Sequence, residues 1–413
     1  MTTSDVVRQS VFLAPDVLAN PYPLYAALRA EQGDGPNSGR TTRRLFSYAD
    51  IAAVLRDDRF SVAQILPTLN RACLVGYTGQ IRAEAAAALS IRQDMLLYTD
   101  PPQHTRLRKL VRPFFSASAI EALRPRIEQI VNTQIDAIRP SDQFDLIADL
   151  AGPLPALVIA EIIGFPAADR DRLVAWSSAF SGFFGIGQAD PTKLEAAVSS
   201  YFDFSDYVAS SVKARQDDPR SDLLTALLAA ESRGELSPRE LIATCMTLLI
   251  AGSETTTGLI GNGMLALLLH PDQLDLLRQD PTLIDRAVEE LARYDSPVQL
   301  AAFVPTEPIA IGKHTFRQGA LVECWIGAAN RDPAQFDEAD RLYLRRTPNR
   351  HLAFGTGTHF CLGSALGRLE AKIAFNGLVR EFPQLHLTGA PISWRPSVVF
   401  RSPASLPLAI KEK

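Results

Sequence analysis

The stretch Phe354-Gly355-Thr356-Gly357-Thr358-His359-Phe360-Cys361-Leu362-Gly363 decides how the rest of the chain is read. Its glycines mark a backbone that turns tightly and lets a bulky, flat group come close, because glycine tolerates positive φ and has no Cβ. The residues after the cysteine, through Lys372, read as a helix, so Cys361 stands at a helix N-terminus. Unpaired N–H groups and the helix dipole there favour a thiolate over a thiol. Such a sulfur is a good iron ligand. The competing reading is an inert thiol, the ordinary state of a lone cysteine among apolar neighbours.

A second informative segment lies in the longest helix the sequence predicts. Ser237-Pro238-Arg239-Glu240 has the form of a capping box with proline at the first helical position, and His270-Pro271 stops the helix after Leu269. Apolar residues occur all around it, the pattern of a helix buried in a large core or crossing a membrane. Glu254 and the run Thr255-Thr256-Thr257 in its middle favour the core. The segment from Ala251 to Thr257 is poor helix material, since glycine and β-branched residues are costly in a helix interior. Small Ala251 and Gly252 leave room for a ligand to approach, and the Thr255 hydroxyl can bond back to the Ala251 carbonyl and loosen the helix. The plainer alternative is a buried threonine cluster that satisfies backbone carbonyls.

Glu290 and Arg293 are placed i, i+3 on the helix predicted from Ile284 to Tyr294, so their side chains can pair. In Asp100-Pro101-Pro102-Gln103-His104-Thr105-Arg106-Leu107-Arg108, the proline pair opens a helix that carries His104 and Arg108 one turn apart. Short extended pieces are expected near Leu45 to Tyr48, Val298 to Val304, Ile309 to Val322 and Val398 to Leu408. No Gly/Ser-rich linker or internal repeat divides the chain, so a single domain over 1–413 is expected, mainly α with a small β portion.

Composition limits the function classes. The chain has 413 residues, 46% hydrophobic and 21% charged, which is ordinary globular chemistry. A net charge of −4 offers no general attraction for nucleic acid. Cysteines 73, 245, 324 and 361 show neither C-x-x-C spacing nor a dense framework, so no zinc site or disulfide scaffold is indicated and reduced thiols in a cytoplasm are expected. The N-terminal residues lack the apolar run of a signal peptide or anchor, and a soluble protein with no membrane association is expected.

The decapeptide resembles the haem-binding loop of the cytochrome P-450 family, F-G-x-G-x-H/R-x-C-x-G, at every fixed position. Four further segments resemble the family in the right order: D-P-P-x-H-x-x-x-R at Asp100 to Arg108, A/G-G-x-D/E-T at Ala251 to Thr255, E-x-x-R at Glu290 to Arg293, and Ser296-Pro297-Val298 after it. The resemblance runs from Asn20-Pro21-Tyr22-Pro23 to Ser405-Leu406-Pro407, and it is to the soluble bacterial type. It implies a large helical domain with haem b. Cys361 would be the axial ligand, His104, Arg108 and His359 propionate partners, and Phe354, Gly355, Gly363, Ala251 and Gly252 neighbours of the haem. Glu254 and Thr255 would deliver protons, and Glu290 with Arg293 would form a structural ion pair. Arg341 leads the candidates for a third partner of that pair, with Arg350 and His351 behind it.

The implied reaction is insertion of one oxygen atom from O2 into an apolar small molecule, by hydroxylation or epoxidation, in a monomeric enzyme. No flavin or iron–sulfur module is evident in the sequence. Electrons are therefore expected from a ferredoxin and its reductase, received near Arg106, Lys109 and Arg112. Leu96, Leu97, Phe180, Phe183, Phe184, Val298, Ala301 and Phe400 are the expected pocket residues, and Gly182, Gly185 and Gly187 suggest a lid. Rival readings are a peroxide-using peroxygenase and a non-catalytic haem sensor or carrier. One departure stands out: where the family usually has an arginine for a propionate, in R-V-A-T-E, this chain reads Phe303-Val304-Pro305-Thr306-Glu307. Ala339 and Leu342 also replace a common proline and phenylalanine.

Overall fold

The computed structural model describes residues 11–31, 42–75, 77–181 and 191–410. Helices dominate them, with short strands gathered in small sheets, and no described helix is long and apolar enough to cross a membrane. Contacts gather the described residues into two compact units, one drawn from 61–121 and 155–254, the other from 11–60, 122–154 and 255–410.

In the first unit the helices Arg170–Ser181 and Pro191–Asp217 pack through an aromatic cluster. Phe180 and Phe204 stand 5.6 Å apart and Trp176 lies 5.3 Å from Phe204. The predicted capping box is formed: the Ser237 N–H donates to Glu240 at 2.9 Å and the Glu240 N–H donates to the Ser237 hydroxyl at 3.1 Å. Burial alone would raise the Glu240 carboxyl, but Arg106, the Ser237 N–H and Gln103 together hold it below its ordinary value. Arg106, expected at a partner surface, is therefore engaged within the chain: its guanidinium bonds Glu240 and the Glu235 carbonyl. Lys109 and Arg112 remain exposed.

In the second unit the strand Leu321–Trp325 is buried along its whole length. It pairs parallel with Thr42–Leu45 and antiparallel with Leu300–Pro305. Glu323, in its centre, is buried and neutralised by Arg44 at 2.7 Å, the residue directly opposite in the register. Of the extended piece expected at Leu45 to Tyr48, only Leu45 belongs to a strand. Ser47 instead caps a helix that begins at Tyr48 by accepting the Asp50 N–H. Phe303 lies in Leu300–Pro305, buried and opposite Val322.

The helix Ile284–Tyr294 forms with the predicted bounds. Glu290 and Arg293 make a two-pronged ion pair, at 2.8 and 2.9 Å, with both side chains fully buried. The third partner is Arg346, not Arg341. Arg346 Nε lies 3.1 Å from each Glu290 oxygen, whereas Arg341 turns its guanidinium to Glu338 and offers only its carbonyl to Arg293. Arg350 is exposed and His351 pairs with Glu289. Ala339 fits because position 339 is used through its carbonyl, which accepts from Arg293 at 2.8 Å.

Candidate active site

The cysteine loop folds as its glycines require. Gly355 and Gly357 have φ of +68° and +74°, and a Cβ on Gly357 would lie 2.3 Å from the Leu55 carbonyl oxygen. The Cys361 N–H donates to the Phe354 carbonyl at 2.9 Å, closing the loop on itself. The helix expected directly after Cys361 starts two residues later, at Ser364, with Gly363 as its N-cap, and runs on to Glu381. Cys361, half-buried, thus precedes the cap by two residues. His359 ends the short 3-10 turn Gly357–His359.

Cys245 and Cys324 are poor thiolates. Burial pushes the Cys245 thiol up to about 12 and drives Cys324 higher still. All four are free thiols, and no cluster of metal-binding side chains occurs among the described residues.

The long helix spans Pro238–Leu269. Positions 243–250 and 256–267 are buried, as are Ser253 and Glu254, yet Ala251 is exposed and Gly252 and Thr255 are half-exposed. These three lie on one side of the helix, because i and i+4 share a face. An accessible stripe in an otherwise buried helix is what a large flat ligand would cover. The reason for glycine at 252 differs from the expectation that it clears space for that ligand: its missing Cβ would meet Ile159 Cγ1 at 2.4 Å, so close helix packing requires it.

Immediately after Thr255 the long helix meets the cysteine helix. A Cβ on Gly367 would lie 3.5 Å from the Thr256 hydroxyl, and the same hydroxyl bonds Glu370. Glu370 is a carboxyl that the sequence reading missed. It is 1% exposed, and burial raises it to about 8 against the opposing Thr256 bond. Its signal in the sequence was faint: an acid in the apolar pattern Leu366, Leu369, Ala371, Ala374.

This predicts a pH dependence of stability. The unfolded carboxyl ionises near 4.5 and the folded one near 8, so between these values the folded chain keeps a proton that the unfolded chain has lost. The contribution is full below the lower value and is lost as pH rises through the higher one. Glu370→Gln should remove that slope, gaining on the order of a few kcal/mol relative to the parent between pH 5 and about 9. Urea unfolding of both proteins across that range checks it; parallel profiles would refute it.

In the first unit, Asp100 fixes the start of the helix Gln103–Val111 by accepting from the Ser61 hydroxyl and from the Val62 N–H at 3.0 Å. That helix carries His104, buried, and Arg108, half-buried, one turn apart. Leu96 and Phe180 are buried and Leu97 is 43% exposed. Val298 and Phe400, in the second unit, pair directly in an isolated β-bridge, and Ala301 is half-buried. Phe183, Phe184, Gly182, Gly185 and Gly187 lie outside the described residues.

A mainly helical fold, a cysteine held at a helix start by a glycine-turned loop, and an accessible stripe in a buried helix define the haem-thiolate class. A sequence profile of that class, Cytochrome P-450, matches residues 174–399. Cytochrome P-450 monooxygenase PikC of Streptomyces venezuelae is 38% identical over 98% of this chain and 95% of its own length. The biotin biosynthesis cytochrome P-450 of Bacillus subtilis is 35% identical over 96% of this chain and 98% of its own. Among solved structures, P450BioI in complex with hexadec-9Z-enoic acid ligated acyl carrier protein superposes with a TM-score of 0.85 at 35% identity, covering 96% of this chain and all of that one. The chain belongs to the cytochrome P-450 family and is a monooxygenase of the bacterial type. Its family's cofactor is haem bound through a thiolate, and the half-buried Cys361 and the open space in front of Gly363 fit that group.

Proposed function

We propose that this chain inserts one oxygen atom from O2 into an apolar organic substrate, by hydroxylation or epoxidation, using haem b and electrons from a ferredoxin and its reductase in the cytoplasm. The observation that carries the reading is the stripe Ala251, Gly252 and Thr255, accessible on a helix whose Thr256 touches the cysteine helix. When bound, the haem supplies an iron centre at which dioxygen is activated.

The chain's own residues do the rest. Cys361 gives the thiolate ligand, and the start of its helix stabilises the negative charge. His104, Arg108 and His359 donate to the propionates, which cannot be buried without such partners. With Phe303 in place of a cation, these three carry that task. Ala251, Gly252, Phe354, Gly355 and Gly363 border the ring. Glu254 and Thr255 hold and pass protons, the hydroxyl as donor and the carboxyl as its source. Leu96, Leu97, Phe180, Phe184, Val298, Ala301 and Phe400 form the substrate's apolar surroundings. Relatives support a sizeable apolar substrate: one is named vitamin D(3) 25-hydroxylase, from Pseudonocardia autotrophica, and one solved structure, of CYP109E1 from Bacillus megaterium, holds testosterone. Lys109 and Arg112 offer an acidic ferredoxin its docking charges.

Two measurements test this. Turnover with ferredoxin, reductase and O2 should exceed turnover with hydrogen peroxide; the reverse order would favour a peroxygenase. Thr255→Ala should lower product formed per O2 consumed by about tenfold, since water and Glu254 supply protons less effectively than the positioned pair. An unchanged ratio would refute the relay.

A further inference from the structure

A closed ring of contacts surrounds Phe354, the residue whose carbonyl holds the Cys361 N–H. Glu289, beside the buried Glu290 on the helix Ile284–Tyr294, accepts from His351 Nε2 at 3.1 Å and from Arg368 Nη2 at 2.9 Å. The Ala353 N–H donates to His351 Nδ1 at 3.2 Å, which turns Nε2 of the ring toward Glu289. Arg368 lies over the Phe354 ring at 4.0 Å from its centroid, and the His351 ring stands 5.9 Å from the same ring. The Arg368 guanidinium also donates to the Ser364 carbonyl at 3.3 Å, at the first turn of the cysteine helix.

We infer that Glu289 is a positioning residue: by holding His351 and Arg368 it clamps Phe354, and through the Phe354 carbonyl it fixes the direction in which Cys361 presents its sulfur. The inference rests on the haem-thiolate reading and names residues that the family's motif does not. The Glu289 carboxylate and the Arg368 guanidinium offset one another within the clamp. The carboxyl stays ionised because, although burial opposes it, His351 and Arg368 hold it at about 2. The ring of Phe354 cannot turn without giving up the stacked cation. Outer partners that orient a ligand are worth roughly 10–100-fold in affinity or activity in metal sites.

A control lies on the same two helices. Asp285 and Lys372 also bridge Ile284–Tyr294 to Ser364–Glu381, yet neither belongs to the ring around Phe354. The experiment compares the parent holoprotein with Glu289→Ala, Glu289→Gln and Asp285→Ala. It reads the reduced, carbon-monoxide-bound absorption spectrum and the hydrogen exchange of the Phe354–Cys361 segment. In Glu289→Ala the ratio of short-wavelength to thiolate-type band should rise about tenfold and exchange at the Cys361 amide should quicken by a similar factor. Glu289→Gln, which keeps an acceptor, should shift less in the same direction, and it carries the test if the alanine variant does not fold. Asp285→Ala should match the parent. Equal shifts in Asp285→Ala, or none in either Glu289 variant, would overturn the inference while leaving the haem-thiolate reading intact. A parent protein without the thiolate-type band would overturn both.

Discussion

Cys361→Ala is expected to abolish the thiolate-type spectrum of the reduced, carbon-monoxide-bound protein and to reduce O2-dependent turnover far beyond the roughly 10–100-fold that loss of an outer partner costs. Two of the other cysteines are poor replacements. Cys245 and Cys324 are fully buried and burial keeps both protonated at neutral pH. The substitution should leave the fold nearly untouched. The loop is closed by the backbone bond from residue 361 to Phe354, which alanine retains, and the side chain removed is only half-buried. A change within about 0.5–1 kcal/mol in the urea unfolding of the haem-free proteins is expected. Spectrum, turnover and unfolding midpoint are read on the same preparations. A thiolate-type band that survives would disprove the ligand assignment, and a large drop in the midpoint would mean that the lost signal reports unfolding.

The parts legible in the sequence were those fixed by local chemistry. Gly355 and Gly357 announced positive φ, Ser237 and Glu240 announced a capped helix, and proline pairs and stops placed the ends of the helices at Gln103 and Leu269. What escaped depended on burial by residues distant in sequence. Arg341, Arg345, Arg346 and Arg350 are indistinguishable by type and spacing, and only the folded chain turns Arg346 onto Glu290. Gly252 reads as clearance for a ligand, and only the folded chain shows that close packing against Ile159, from a helix some ninety residues earlier, also forbids a Cβ there. Glu370 sits in an apolar pattern, but Thr256, the partner that marks its burial, comes from another helix. Periodicity reports which face is apolar, not which residue of a distant element covers it.

Removal of the Glu290 carboxylate should be the most damaging change to the fold. Glu290→Ala would take the acceptor from Arg293 and Arg346, and also from the Tyr343 N–H at 2.9 Å and the Asn349 amide at 3.2 Å. Arg293 has no route to solvent, being fully buried and tied to the Asn330 and Ala339 carbonyls at 2.8 Å each. Breaking one side of a buried pair typically costs about 3–5 kcal/mol because the remaining charge is left uncompensated. Here two guanidiniums lose their counterion, so the upper end or more is expected, against a total stability of roughly 5–15 kcal/mol. Replacing the pair with apolar residues is often neutral elsewhere. In this chain the double variant Glu290→Met, Arg293→Met should remain destabilised, because Arg346 would still lack its counterion and the Asn330 and Ala339 carbonyls their donor. It should nonetheless lose less than the sum of the single changes, the sign of a coupled network. Urea unfolding of the two single variants and the double variant measures this. A cost below about 1 kcal/mol for Glu290→Ala would mean that solvent reaches the site and that the three segments it joins are held by other contacts.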